Sequence, residues 1–238
     1  MKLLGFLLII SFLSINVSHA QEGGDYEYGS EFIWGVTKAT NSGLIGGLVF
    51  KYSKAVTKRS YQSFGLELVN IKHPKEERYY SVTGNTFIWG KQNYLYSARL
   101  QYGRDWIFFR KAPQQGVQIS GVLAGGPSIG VIAPYYIEIE GGGSNANKVQ
   151  YDPAVHSFHD ILGTGNIFQG IENSSIALGG NFKAAINFEF GTFKSNVVGF
   201  ETGFMIEAFT KEVVLMPNAE NRSIFPNAFI TLFYGSRK

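Results

Sequence analysis

The sequence predicts an all-β fold: an antiparallel transmembrane β-barrel of about eight strands, with ten as the upper count, a filled interior and long extracellular loops. Three observations predict it. Apolar and polar residues alternate with period two through much of the chain, which a pleated strand needs in order to show two different faces. Aromatic residues reach 15% while charged residues stay at 16%, the latter well below the ~25% of soluble domains. The links between alternating segments switch between short and long, the pattern of a barrel with tight turns at one membrane surface and loops at the other.

The first twenty residues read as an export address. Lys2 is followed by the apolar run Leu3–Ile15 and the small-residue site Ser18-His19-Ala20, the three parts of a secretory signal peptide. Cleavage is expected between Ala20 and Gln21, leaving 21–238 as one barrel domain. The run is too short to span a bilayer comfortably as a helix. The chain has no cysteine, which excludes a lipidated N-terminal Cys, disulfides, thiolate metal sites and Cys nucleophiles. Without Lys2, the remaining 20 basic and 18 acidic side chains are nearly balanced, and no nucleic-acid partner is expected.

The strands follow in order. About 29–38 carries Phe32, Trp34 and Val36 on one face, and about 43–54 carries Leu44, Leu48, Phe50 and Tyr52. At 60–72, Phe64, Leu66 and Leu68 oppose Ser63, Gly65 and Glu67. At 94–105, Tyr96, Ala98, Leu100 and Tyr102 oppose Ser97, Arg99, Gln101, Gly103 and Asp105. The fifth strand, 116–126, is expected to break at Gly125-Gly126-Pro127 and to resume over 129–139, because Pro127 and Pro134 lack a backbone donor and suit a bulge, an edge or a place beyond the wall. The alternation is clearest at 175–190, where Ile176, Leu178, Phe182, Ile186, Phe188 and Phe190 oppose Ser175, Ala177, Asn181, Lys183, Asn187 and Glu189. At 197–210, Val198, Phe200, Phe204 and Ile206 oppose Glu201, Gly203 and Glu207, and the last strand is placed at about 227–236. Long links are expected at about 73–92, 140–174 and 211–226. With the termini on the periplasmic side, all three fall outside the cell.

The polar face decides which way the sheet curls. It mixes Glu67, Arg99, Asp105, Lys183, Glu189, Glu201 and Glu207 with many Gly, Ala and Ser. A water-facing surface carries more long charged groups and fewer glycines, so these residues are assigned to a crowded interior charge network. Arg99 is expected to pair with Glu67, Glu189 or Glu201. The competing reading is a soluble periplasmic, lipocalin-like barrel, whose apolar face would point inward.

Candidate chemistry is sparse. His156-Ser157-Phe158-His159-Asp160 gathers two imidazoles and a carboxylate in the longest loop, away from any metal-ligand spacing of known strength. No serine stands in a GxSxG setting, and the paired glycines do not open helices. No cofactor, metal or enzymatic activity is expected. An eight-stranded interior is filled by side chains, so a diffusion pore is not expected either. The loop 140–174 carries Tyr151, Phe158, Ile161, Leu162, Ile167 and Phe168. So many large apolar groups suit either a partner-contact surface or a lid packed on itself.

Three segments, GVQISGVLAGGPSIGVIAPYYIEIE (116–140), VQYDPAVHSFHDILGTGNIFQGI (149–171) and NFKAAINFEFGTFKSNVVGFETGF (181–204), resemble a group of outer-membrane β-barrel envelope proteins of Bacteroidota. The last strand, in which Phe229, Thr231 and Phe233 alternate with Ile230, Leu232 and Tyr234, also resembles the aromatic terminal strand read by barrel-insertion machinery, although Gly235–Lys238 follow it. The resemblance implies a barrel in the outer membrane, in contact with its lipid, and supplies no catalytic residues. By analogy with small barrels of barrel-assembly and secretion machines, it implies a non-catalytic accessory subunit with other envelope proteins as partners. The alternative is a lipid-modifying or ligand-binding barrel.

Overall fold

A computed structural model describes residues 28–110, 116–140, 147–166, 169–190 and 195–238. The expected signal peptide, 1–20, lies outside the described residues. The strands, in chain order, are β1 (Ser30–Ala39), β2 (Gly47–Thr57), β3 (Ser60–Ile71), β4 (Arg78–Tyr80), β5 (Thr86–Ile88), β6 (Asn93–Phe109) and β7 (Gln118–Pro134). They continue with β8 (Tyr136–Ile139), β9 (Asn147–Gln150), β10 (Ile161–Thr164), β11 (Ser175–Phe190), β12 (Asn196–Val213) and β13 (Arg222–Arg237).

Eight of these strands close into one antiparallel barrel in the order β1-β13-β12-β11-β7-β6-β3-β2. Closure runs through β1 and β13, with Glu31 opposite Arg237 and Ala39 opposite Phe229. Every wall strand therefore has two neighbours, and no backbone edge is left within the wall.

The alternation places the polar set inside. Ser63, Glu67, Ser97, Arg99, Asp105, Asn181, Lys183, Asn187, Glu189, Glu201 and Glu207 are buried, while Phe32, Trp34, Phe64, Leu100, Phe182, Phe204 and Leu232 are exposed on the outer face. That is the inverse of a lipocalin-like barrel. On β3 the outward apolar run lies between Gln62 and Asn70. Eight residues at ~3.4 Å, tilted by ~40°, give a belt roughly 20 Å tall, close to the apolar band of membrane barrels.

Three strand boundaries differ from expectation. The second strand starts at Gly47 rather than 43. The preceding turn is tied by Ser42 Oγ, which accepts from Ala39 N at 2.9 Å, and by Gly46 N donating to Thr37 O at 2.8 Å, so Leu44 sits on the link and not on the wall. The link expected over 211–226 shrinks, because β12 runs on to Val213 and β13 begins at Arg222.

The fifth strand does not break at Gly125–Pro127: β7 runs unbroken to Pro134. Pro127 is accommodated because the β6–β7 ladder skips from Arg99/Ser128 to Tyr102/Gly125 without a change of register. Asn181 bridges the gap from the inside. Its Nδ2 donates to Gly126 O, Pro127 O and Ser128 Oγ at 3.0–3.2 Å, and its Oδ1 accepts from Gln101 Nε2. The tail of the expected strand, Tyr136–Ile139, leaves the wall for a separate sheet of order β10-β8-β9.

Gly126 has no room for a side chain: a Cβ there would stand 2.3 Å from Leu100 O. Gly126→Ala should therefore force β6 and β7 apart and cost about 1–3 kcal/mol. The measurement is the urea midpoint of the refolded barrel, and an unshifted midpoint would show that the interruption tolerates a side chain.

Candidate functional site

The barrel interior is built around an alternating ladder of seven ionic groups, in the order Glu207, Arg99, Glu67, Lys183, Glu201, Lys51, Asp105. Arg99 Nη2 lies 2.7 Å from Glu207 Oε2, and Arg99 Nη1 lies 3.2 Å from Glu67 Oε2. Lys183 Nζ sits 3.0 Å from both Glu67 Oε1 and Glu201 Oε1. Lys51 Nζ is 3.6 Å from Glu201 Oε2 and 2.7 Å from Asp105 Oδ2. Each cation thus stands between two carboxylates. At both ends a serine satisfies the outer oxygen: Ser97 Oγ donates to Glu207 at 2.5 Å and Ser63 Oγ to Asp105 at 2.9 Å. Buried charges persist only when paired and hydrogen-bonded in this way.

A second cluster lies near the termini. Arg237 Nε contacts Glu31 Oε2 at 2.6 Å, and its two Nη atoms hold both oxygens of Glu189. Its guanidinium stacks over the Tyr28 ring at 3.8 Å, which in turn stacks on Tyr61. Since Arg237 is on β13 and Glu31 on β1, this cluster pins the closing seam of the barrel.

All seven residues assigned from the sequence to the interior network are buried. Six belong to the ladder. Glu189 belongs to the terminal cluster and pairs with Arg237, so it is not a partner of Arg99. Glu201 is held by Lys183 and Lys51, and the second partner of Arg99 is Glu207. Lys51, Glu31 and Arg237 are network members that sequence reasoning missed. Parity carried a signal for two of them: Lys51 lies between outward Phe50 and Tyr52, and Glu31 precedes outward Phe32.

Above the ladder the lumen turns apolar. Val69, Ile71, Leu95, Ile132, Ala177, Phe209, Val213 and Leu215 form one buried cluster inside the upper barrel. Beyond the rim stands a cap with its own core of Phe87, Tyr135, Ile137, Tyr151 and Ile161, ringed by Trp89, Tyr94, Phe158 and others. The β4–β5 hairpin clips onto the β8–β10 sheet there: Ser81 Oγ, Thr83 Oγ1 and Asn85 Nδ2 all donate to Leu162 O. Beneath the hairpin, Lys91 is buried 2.7 Å from Glu76 and 4.3 Å above the Tyr94 ring. Burial pulls its ammonium below the usual lysine value, against the opposing pull of Glu76.

This cap revises the reading of loop 140–174 as a contact surface. Tyr151 and Ile161 are fully buried, Phe158 packs against them, and Leu162 contributes its carbonyl to the hairpin clip. The apolar bulk of Tyr151, Phe158 and Ile161 is consumed by self-packing, which the isolated loop sequence cannot distinguish from display. Ile167 and Phe168 lie outside the described residues. His156 and Asp160 serve turns: His156 Nδ1 accepts from Asp152 N, and Asp160 Oδ2 accepts from Ser157 N. Among the described residues no three potential ligands gather around a metal-sized space.

No known protein family matches the chain, and no curated protein matches it in sequence. Solved structures similar to it include Ail of Yersinia pestis (10% identity, 89% of this chain and 100% of that one, TM-score 0.41). Neisserial surface protein A (9%, 91% and 100%, 0.41) and the N-terminal β-barrel domain of Pseudomonas aeruginosa OprF (7%, 89% and 98%, 0.36) are also similar. At these values the likeness adds nothing to the barrel geometry described above.

Arg99→Ala should leave Glu67 without its guanidinium and Glu207 with no cation, at a cost of roughly 3–5 kcal/mol. The readout is the unfolding midpoint of the refolded barrel, followed by the loss of heat-modifiable migration on a gel. A wild-type midpoint would mean that the ladder is not a unit of stability.

Proposed function

We propose that this chain is an integral outer-membrane β-barrel with periplasmic termini, serving as a non-catalytic structural or accessory subunit of an envelope complex for barrel assembly or protein secretion. The observation that carries the membrane reading is the inverted distribution of side chains. A closed sheet with ionic groups inside and an apolar belt outside is stable only where the outer face meets hydrocarbon. The links support the orientation: the end holding Tyr28 and Lys238 has the tight Lys58-Arg59 turn, and the opposite end carries the cap.

The subunit reading rests on the cap and the filled lumen. A barrel interior crossed by seven interlocked charges and an apolar cluster favours work done at surfaces over passage through the centre. The most exposed large groups of the hairpin are Tyr80, at 75%, and Val82, at 77%. They stand on a unit anchored by Tyr79 against Phe87 and Phe158. Rigid display of apolar groups outside a packed core suits protein contact.

Two measurements test the reading separately. Leu100, at mid-height on the belt, is exposed. Leu100→Arg should cost about 2–4 kcal/mol for the barrel folded in a bilayer; a neutral effect there would place that face in water. For the subunit role, mild-detergent extraction followed by affinity purification and mass spectrometry should recover partner proteins, and the double variant Tyr80→Ser/Val82→Ser should release them. Recovery of the chain alone from native envelopes would remove the accessory role while leaving the membrane reading intact.

A further inference from the structure

The barrel wall is not level. The strands β1, β2 and β3 have 10, 11 and 12 residues, whereas β6, β7, β11, β12 and β13 have 16–18. The extra length lies on the cap side, because the strands are level at the termini end. On the low side the rim is the short link between β1 and β2, and its tip carries Leu44 and Ile45, 85% and 71% exposed.

Beside that tip the outer wall is indented. A groove of about 390 Å³ runs across β3, β6 and β7, floored by Leu68, Ala98 and Val131 and walled by Ile45 and Tyr96. It exists because Ala98 is small between its outward neighbours Tyr96 and Leu100, and because β2 stops at Gly47 while β3 and β6 continue upward. Two ammonium groups belong to the same level. Lys72 follows the end of β3, donates its N–H to Asn41 O, and sets its Nζ against Gly43, 3.4 Å from where a Cβ would stand. Lys38 lies on the outward side of β1, one residue above the Thr37–Gly47 pair, and is exposed.

We infer that this groove is a binding site for one anionic, phosphate-bearing lipid of the surrounding leaflet, with an acyl chain along Leu68, Ala98 and Val131 and the phosphate at Lys72. The inference rests on the membrane reading above. An apolar trough on the lipid-facing wall fits an acyl chain, and it ends at the rim where headgroups lie. The nearby Glu76 carboxylate is taken up by Lys91 Nζ at 2.7 Å and by the His73 amide, so Lys72 and Lys38 select an anionic headgroup over a zwitterionic one, by about fivefold for a single lysine. Ile45 closes the groove on its upper side, and the exposed Leu44 beside it enters the same boundary layer.

The test uses the mature chain reconstituted in vesicles of phosphatidylcholine and phosphatidylglycerol in equal parts, released in mild detergent and weighed by native mass spectrometry. One retained phosphatidylglycerol per chain is expected, in clear excess over phosphatidylcholine. Ala98→Trp, which fills the groove, should abolish retention, whereas Ala184→Trp on the β11 wall should not. Lys72→Gln should reduce the preference for phosphatidylglycerol about fivefold. Heat-modifiable migration reports that each variant is folded, and Lys72→Gln keeps the test open should Ala98→Trp fail to fold. Equal retention of the two lipids, or retention unaffected by filling the groove, overturns the inference alone. A chain that does not float with the vesicles overturns the membrane reading along with it.

Discussion

Everything in this molecule depends on neutralising charge where water is scarce. A sheet that closes on itself satisfies its backbone but leaves one face turned into a narrow lumen. Here that face carries Arg99, Lys183 and Lys51 interleaved with Glu207, Glu67, Glu201 and Asp105. An isolated ion in such a place costs several kcal/mol, and alternating neighbours recover it only while each one stays in position. The ladder draws on β2, β3, β6, β11 and β12, so it also fixes how these strands sit relative to one another. The Arg237 cluster extends the same logic to β1 and β13 at the seam.

At the level of the ladder the interior is occupied by ions, and the apolar residues of the wall there have no inner core to join. They form the outward belt instead, and the closed hydrogen-bond ring makes that belt tolerable in hydrocarbon. Glycine has a specific use where β7 passes its proline: Gly126 allows Leu100 O to approach, and the amide of Asn181 serves the carbonyls left by the interrupted ladder. A polar interior thus repairs a backbone defect that an apolar one could not.

The upper half obeys the opposite rule. Where the tall strands rise above the low rim, the lumen fills with Leu95, Ile132 and Phe209, and the long links condense into a cap with its own aromatic core. Hairpin and sheet are joined through Leu162 O, which accepts three donors, and through Thr164 Oγ1, which donates to Thr86 O. The uneven wall leaves the molecule with two distinct faces at its capped end, a folded platform on one side and a bare low rim on the other.

Period-two alternation, read residue by residue, marked the wall segments and their two faces, because a pleated strand admits only two sides, and the many small residues among the charges of the polar face assigned Glu67, Arg99, Asp105, Lys183, Glu189, Glu201 and Glu207 to the inside. Missed members had separate causes. Lys51 and Glu31 sat on faces defined only through their apolar neighbours, and Arg237 lay just past the assigned end of its strand. Pairings across the lumen were not legible, since which carboxylate meets Arg99 depends on the stagger between strands far apart in the chain, and no local pattern records it. The continuity of β7 through Pro127 depended likewise on a side chain from β11. The self-packed cap was undecidable from its residues alone: Tyr151, Phe158 and Ile161 are equally apolar whether displayed or buried. Local periodicity therefore determined the faces, and only the closed tertiary structure, which sets distances between strands, decided the partners.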